Sequence, residues 1–156
     1  MLEGIKKLHF VGIGGVGMSA IAEVMLDKGY EISGSDLSES AVVKHLKAKG
    51  ATIYKGHDAL NVEGKEALVL SSAIHQDNPE LVVAKAKGLK LFHRSDILAY
   101  LLNDAKGIAV AGAHGKTTTS SMISVVLEHA KVDPTILIGG FVDYLKGNAK
   151  LGKSDY

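Results

Sequence analysis

Short apolar runs rich in β-branched and aromatic residues alternate along the chain with segments of helical periodicity that end at glycine. That alternation predicts βαβ units around a largely parallel sheet. The first unit reads as the strand "LHFV", a glycine loop from Gly12 to Gly17, a helix to about Lys28 with Gly29 just beyond it, and the strand "YEIS". Glycine suits the position after a helix because that residue usually takes positive φ. A second helix, about Ala41 to Lys49, stops the same way at Gly50 and leads into "ATIYKG". The continuous apolar run "ALVLSSA" predicts a buried strand. Asn78 then offers an N-cap, Pro79 fits the first helical position where its missing N–H costs nothing, and Gly88 closes the helix. "LKLFH" predicts a further strand and "SDILAYLL" a further helix.

Polar "NDAKG", Asn103 to Gly107, interrupts this pattern, and "IAVAG" after it predicts the strand of a fresh strand, loop and helix unit. One more strand is expected at about Thr135 to Ile138, followed by a glycine-containing tail with too few apolar residues to complete a second core. The expected architecture is α/β. A Rossmann-like parallel sheet domain with helices on both faces would occupy 1–103, and 104–156 would open a second α/β domain with its first strand, phosphate loop and helix.

A chain of 156 residues is long enough to bury roughly two-thirds of its unfolded surface. Its formal net charge is +1 with the bases scattered, so nucleic acid is not an expected partner. The absence of cysteine excludes disulfides and thiolate metal sites. The N-terminal apolar run is too short and too interrupted by glycine for a signal peptide, and no run reaches the length of a membrane span. The expectation is a soluble, cytoplasmic protein with no membrane partner.

Two glycine loops carry the candidate chemistry. Gly12, Gly14 and Gly17 fit G-x-G-x-x-G between a strand and a helix, where glycines permit a tight turn, close approach of a diphosphate, and helix–strand packing. The helix start adds unpaired N–H donors and partial positive charge. Asp36 ends the next strand, where dinucleotide folds place an acid on ribose hydroxyls; it could equally cap the following helix, so NAD binding stays open on the residues alone. Ser71 and Ser72 follow a predicted strand and so lie where open α/β sheets bind ligands, with a plain turn as the alternative. His57 and Arg94 also follow predicted strands and could face the same crevice.

The second loop, "GAHGKTT" from Gly112 to Thr118, has the G-K-T core of a phosphate loop. Backbone N–H groups there can cradle phosphates, Lys116 can reach the β/γ-phosphates, and the Thr117 hydroxyl can ligate Mg²⁺. Its first glycine stands only three residues before Gly115, so the loop is shorter than the general pattern, and His114 is an unusual occupant.

Together, "HFVGIGGVGMSAIAEVML", "GSDLSES", "SSAI…NPE", "AGAHGKTTTSSMI" and "DPTILIGG" closely resemble the Mur ligases, in the expected order and over essentially the whole chain. The resemblance implies ATP-driven amide formation in peptidoglycan precursor synthesis. The γ-phosphate would pass to the carboxylate of UDP-N-acetylmuramate, and L-alanine would attack the acyl phosphate. It further implies that Gly14, Gly15, Val16, Gly17, Met18 and Ser19 surround the UDP diphosphate, and that Asp36, Ser71, Ser72 and Ala73 contribute to nucleotide recognition. Gly112, Ala113, His114, Gly115, Lys116, Thr117 and Thr118 would bind ATP, with Lys116 the catalytic residue on its phosphates and Thr117 on Mg²⁺. Family members usually carry threonine where this chain has Ala113.

Family enzymes continue past this point into a strand bearing acidic metal ligands and a further domain. The resemblance therefore implies a chain that stops just inside the second domain, binds the UDP moiety without catalysing, and lacks the L-alanine site. A strand edge left open in that way predicts weak self-association. Two other readings stand beside it: an NAD-binding module, and a stand-alone phosphotransferase. The latter needs an acidic Mg²⁺ ligand after a buried strand, and the only acids beyond the loop are Glu128, Asp133, Asp143 and Asp155.

Overall fold

The computed structural model describes all residues, Met1–Tyr156. Five strands, β1 (Lys7–Val11), β2 (Glu31–Asp36), β3 (Thr52–Lys55), β4 (Ala67–Leu70) and β5 (Lys90–His93), form one sheet in the order β3-β2-β1-β4-β5. Every pairing in it is parallel. Parallel neighbours need crossovers, and four helices provide packing layers: α1 (Val16–Asp27), α2 (Ala41–Ala48), α3 (Pro79–Ala86) and α4 (Arg94–Asn103).

Alternation along β1 sorts the two faces. Leu8 and Phe10 pack with α1, Leu46 of α2 and Ile97 of α4, whereas Val11 joins Leu68, Val62 and Ala84 of α3 on the opposite face. Leu8, Phe10 and Val11 are fully buried, and each such side chain is worth about 1.5–3 kcal/mol relative to exposure. Helix ends follow the sequence signals. Asn78 caps α3 by accepting from the N–H of Glu80 and Leu81, with Pro79 at the first position, and Gly29, Gly50 and Gly88 sit at positive φ after α1, α2 and α3.

Helix α1 is buried almost all round. The reason lies in the C-terminal segment. Strands β6 (Ile136–Val142) and β7 (Gly147–Lys150) form an antiparallel hairpin that covers the face of α1 turned away from the sheet, so that Ala149 joins the main core. The Asn148 side-chain amide donates to the Val16 carbonyl at 2.7 Å. Ile136, Ile138 and Val142 form a small cluster of their own.

The strand expected at Ile108–Gly112 does not form: the residues from Ile108 to Gly112 have no ladder partner, and Ile108 is exposed. An extended run cannot bond its own backbone groups, so without an adjacent strand it stays irregular despite its apolar composition. A largely apolar cleft of about 520 Å³ opens beside it, between α4, the hairpin and the next helix, α5 (Lys116–His129). The expected strand at Thr135–Ile138 exists but runs on to Val142. No helix is long and apolar enough to cross a membrane.

Candidate functional site

Strand order reverses between β1 and β4: the chain moves outward through β2 and β3, then returns to the other side of β1. Crossovers leave in opposite directions at that point and open a crevice outside the carboxyl ends of the strands. The first glycine loop lies there. Gly12 turns the chain at φ +76°, and the N–H groups of Gly12 and Ile13 both donate to the Ser35 carbonyl. The Gly14 N–H donates to Asp36 Oδ2 at 2.8 Å, and a Cβ at Gly14 would fall 2.8 Å from that same oxygen. Glycine is needed there so that the carboxylate can close onto the loop.

Asp36 therefore has a structural task. Its other oxygen accepts from Ser38 N–H and Oγ at 3.0 and 3.2 Å, so both oxygens are engaged by the protein. The cap of α2 is Ser40, not Asp36.

Gly15 is the N-cap of α1 and brings no side chain to it, and the first turn contains no acid. The N–H groups of Val16 and Gly17 have no protein acceptor. Arg94, the first residue of α4, lays its guanidinium on Gly17 so closely that a Cβ there would overlap it. It has no carboxylate partner: none of the ion pairs includes it. Free N–H donors, the positive end of a helix and an unpaired guanidinium thus converge on one spot, an arrangement with the chemistry to receive an anion. Met18 and Ser19 are buried, and the Ser19 hydroxyl donates to the Val16 carbonyl at 3.0 Å, so their side chains face inward.

The turn after β4 lines the same edge. Ser71 is half-buried, Ser72 and Ala73 are exposed, and Ile74 packs against Gly12. His57 follows β3 and is held from within: its Nδ1 lies 2.9 Å from both Ser35 Oγ and Glu80 Oε2. Glu80 is wholly buried and was not legible as a site residue. Its carboxylate also meets His9 Nε2 at 3.2 Å, Asn61 Nδ2 at 2.7 Å and the Ser35 hydroxyl at 2.7 Å. Burial alone would raise its pKa, but the hydrogen bonds from His9, Asn61 and Ser35 and the His9 charge outweigh it and hold the group at about 2. Glu80 stands at the start of α3, and its partners come from β1, β2, the segment after β3 and the 3₁₀ turn Ala59–Val62.

The second loop is built differently. Gly115 caps α5 in the left-handed region at φ +77°, and the N–H groups of Gly115, Lys116, Thr117 and Thr118 have no protein acceptor. The Lys116 ammonium folds back over the loop, donating to the carbonyls of Gly112 and, at 3.1 Å, Ala113. Ala113 and His114 are exposed. Thr117 rests against the hairpin, where a Cβ at Gly140 would lie 3.1 Å from its methyl. Four free N–H donors with a cation at the mouth have the chemistry of a phosphate cradle.

The donors for a metal are sparser. Thr117 supplies one hydroxyl, and no group of three His, Asp or Glu side chains comes together to hold an ion. Glu128 and Asp133 are both engaged by Lys150 at 2.6 Å, and Asp155 by Lys106 at 2.7 Å. Asp143 is exposed at the end of β6. The chain's own residues do not make a complete Mg²⁺ site.

Comparison with known proteins gives the family. The model of the Mur ligase family, catalytic domain, matches residues 7–106. The UDP-N-acetylmuramate--L-alanine ligase of Hydrogenobaculum sp. is 56% identical over 98% of this chain, and that of Dictyoglomus turgidum 53% identical over 97%. The chain spans about a third of the length of these curated relatives, 34% and 32% respectively. Among solved structures, the UDP-N-acetylmuramate-alanine ligase from Thermotoga maritima superposes with a TM-score of 0.86 at 34% identity, covering 96% of this chain and 35% of that one. The UDP-N-acetylmuramate:L-alanyl-gamma-D-glutamyl-meso-diaminopimelate ligase from Neisseria meningitides gives 0.87 at 30%, covering 97% and 49%.

Proposed function

The chain belongs to the Mur ligase family, and from that premise we propose that it is the UDP-substrate-binding part, with the phosphate loop attached, of an enzyme that joins L-alanine to UDP-N-acetylmuramate at the expense of ATP. The observation that carries this reading is the anion site at α1: the free N–H groups of Val16 and Gly17 under the unpaired Arg94 guanidinium. A diphosphate seated there would run its nucleoside along the carboxyl edge of the sheet toward Ser71, Ser72 and Ala73 on one side and His57 on the other. Asp36 serves by fixing the loop, and Met18 and Ser19 by fixing α1, rather than by touching the ligand with their side chains.

At the second loop, the N–H groups of Gly115 to Thr118 would receive the phosphates of ATP. Lys116 would exchange the carbonyls of Gly112 and Ala113 for phosphate oxygens, and Thr117 would offer one hydroxyl to Mg²⁺, which supplies charge neutralisation when bound. Ala113 removes a hydroxyl from the loop but no N–H, so the anion cradle is retained. With no gathered carboxylates, these 156 residues bind and do not turn over; L-alanine-dependent ATP hydrolysis by them would contradict that.

The NAD reading loses its second support, because both oxygens of Asp36 are engaged by Gly14 and Ser38. Calorimetric titration with UDP-N-acetylmuramate, UDP, NAD and Mg-ATP tests the choice. Saturable binding of the uridine ligands without NAD is expected; NAD binding alone would overturn the proposal.

A further inference from the structure

The interior polar cluster around Glu80 ties α3 to β1, β2 and the 3₁₀ turn, and it reaches the carboxyl edge of the sheet through one side chain. His57 is the only member whose ring is partly exposed, at 20%, while His9 and Glu80 are at 0%. Its Nδ1 is turned inward onto Glu80 and Ser35. Its Nε2 makes no bond within the protein, and no buried side-chain nitrogen or oxygen in the molecule is left without a partner. Nε2 must therefore reach solvent, at the carboxyl end of β3 beside the proposed nucleotide crevice.

The protonation pattern of that ring follows from what surrounds it. A carboxylate only accepts, and at 2.9 Å from Glu80 Oε2 a bare Nδ1 would set two acceptors against each other. The proton belongs on Nδ1. In the neutral ring, Nε2 is then an acceptor facing outward.

We propose that Glu80 is a positioning residue that fixes His57 as its Nδ1–H tautomer and so presents Nε2 as an acceptor for a hydrogen-bond donor of the bound nucleoside. This rests on the reading of the crevice as a uridine nucleotide site. Three donors of such a ligand have the required chemistry, the ribose 2′- and 3′-hydroxyls and the imide N–H of the base.

Glu80→Gln probes the mechanism because the network dictates how the amide must sit. Asn61 Nδ2 donates both to Glu80 Oε1 and to the Gly56 carbonyl, so it cannot turn round, and the amide oxygen must take the Oε1 side. The amide NH₂ then faces Ser35 and His57. The Ser35 hydroxyl can become an acceptor by rotating, but His57 Nδ1 can do so only by giving up its proton. The ring would switch to Nε2–H, and the atom offered to the ligand would change from acceptor to donor.

The tautomer is read without any ligand, from ring ¹⁵N shifts of labelled histidine at about pH 8.5, well above the ordinary imidazole range, with His57→Ala used for assignment. Wild type is expected to carry the proton on Nδ1 and E80Q on Nε2. A wild-type ring protonated on Nε2 overturns the proposal even if E80Q fails to fold. UDP titrations supply the second readout. E80Q and His57→Ala should each weaken UDP by about tenfold, while E80Q in the His57→Ala background should add little, the signature of one residue acting through another.

A similar loss from E80Q with and without His57 would show Glu80 to be merely structural and would sink the idea. Titration with 2′-deoxy-UDP, 3′-deoxy-UDP and N3-methyl-UDP identifies the donor: the analogue lacking it should be insensitive to His57→Ala. If wild type shows the Nδ1–H ring but binds no uridine nucleotide, the uridine reading of the crevice fails, separately from Glu80's hold on the ring.

Discussion

Arg94 and Gly17 form a matched pair: the guanidinium occupies the volume that any side chain at Gly17 would need. Gly17→Ala should displace the cation from the start of α1 and weaken UDP binding by about tenfold or more, as expected for a charge-assisted contact, while thermal stability changes little because Arg94 is exposed. Arg94→Ala should give a similar loss in calorimetry, and the remaining affinity should depend less steeply on salt than that of wild type.

Glu80 makes an independent prediction about acid. Its pKa falls from an ordinary 4.5 to about 2 on folding, so the folded state is favoured above 4.5 and this contribution is lost as pH drops through the window from about 4.5 to about 2. Its size is on the order of 3 kcal/mol. Urea denaturation of wild type across pH 7 to 3 should show the larger part of that loss, and the profile of E80Q should be flatter and lower at pH 7. Of this cluster only His57 was singled out from the sequence; its buried partners were not readable, because His9 and Glu80 stand 71 positions apart and only the sheet register and the start of α3 bring them together. Arg94 was readable, since a residue directly after a parallel strand must sit at the ligand edge.

Elements were legible wherever local chemistry and tertiary need agreed. Asn78–Pro79 and the glycines after α1, α2 and α3 marked true ends, and the periodic segments between them became the expected helices. Legibility failed where a partner decides the outcome. The run "IAVAG" has strand composition but no neighbour to pair with, and "GNAK" has almost no strand propensity yet forms β7 because β6 lies opposite it.

The hairpin is held to α1 by a single polar link, the Asn148 amide on the Val16 carbonyl, together with Ala149. Asn148→Ala should cost about 1 kcal/mol. Hydrogen exchange should show the loss as faster exchange in β6 and β7 and at the start of α1, with the five-stranded sheet unaffected.

At the scale of the molecule, the two anion cradles stand on different helices with different cations, Arg94 for α1 and Lys116 for α5. Their ligands should accordingly be separable by mutation. Lys116→Ala is expected to abolish Mg-ATP binding and leave UDP affinity within about twofold of wild type, which side-by-side titrations would check; a large loss of both would mean that Lys116 supports the fold as well as the loop.

Apolar side chains also remain uncovered on α5 and β6. Met122 and Val126 lie one helical turn apart on α5, 64% and 66% exposed, and Phe141 of β6 is 66% exposed. Such side chains favour association, and sedimentation at rising concentration should reveal weak self-association that Met122→Ser with Val126→Ser removes.

Asn148 of the hairpin grips the first loop at Val16, and Gly140 of the same hairpin abuts Thr117 of the second. One opening of that hairpin would strip support from both cradles at once, so the two sites share a common mode of failure. The hydrogen-bonded amides next to the two cradles, Met18 and Ser19 on the Gly15 carbonyl and Thr119 on the Gly115 carbonyl, should then exchange with a single opening free energy below that of global unfolding, and a ligand that closes either cradle should slow exchange in the other.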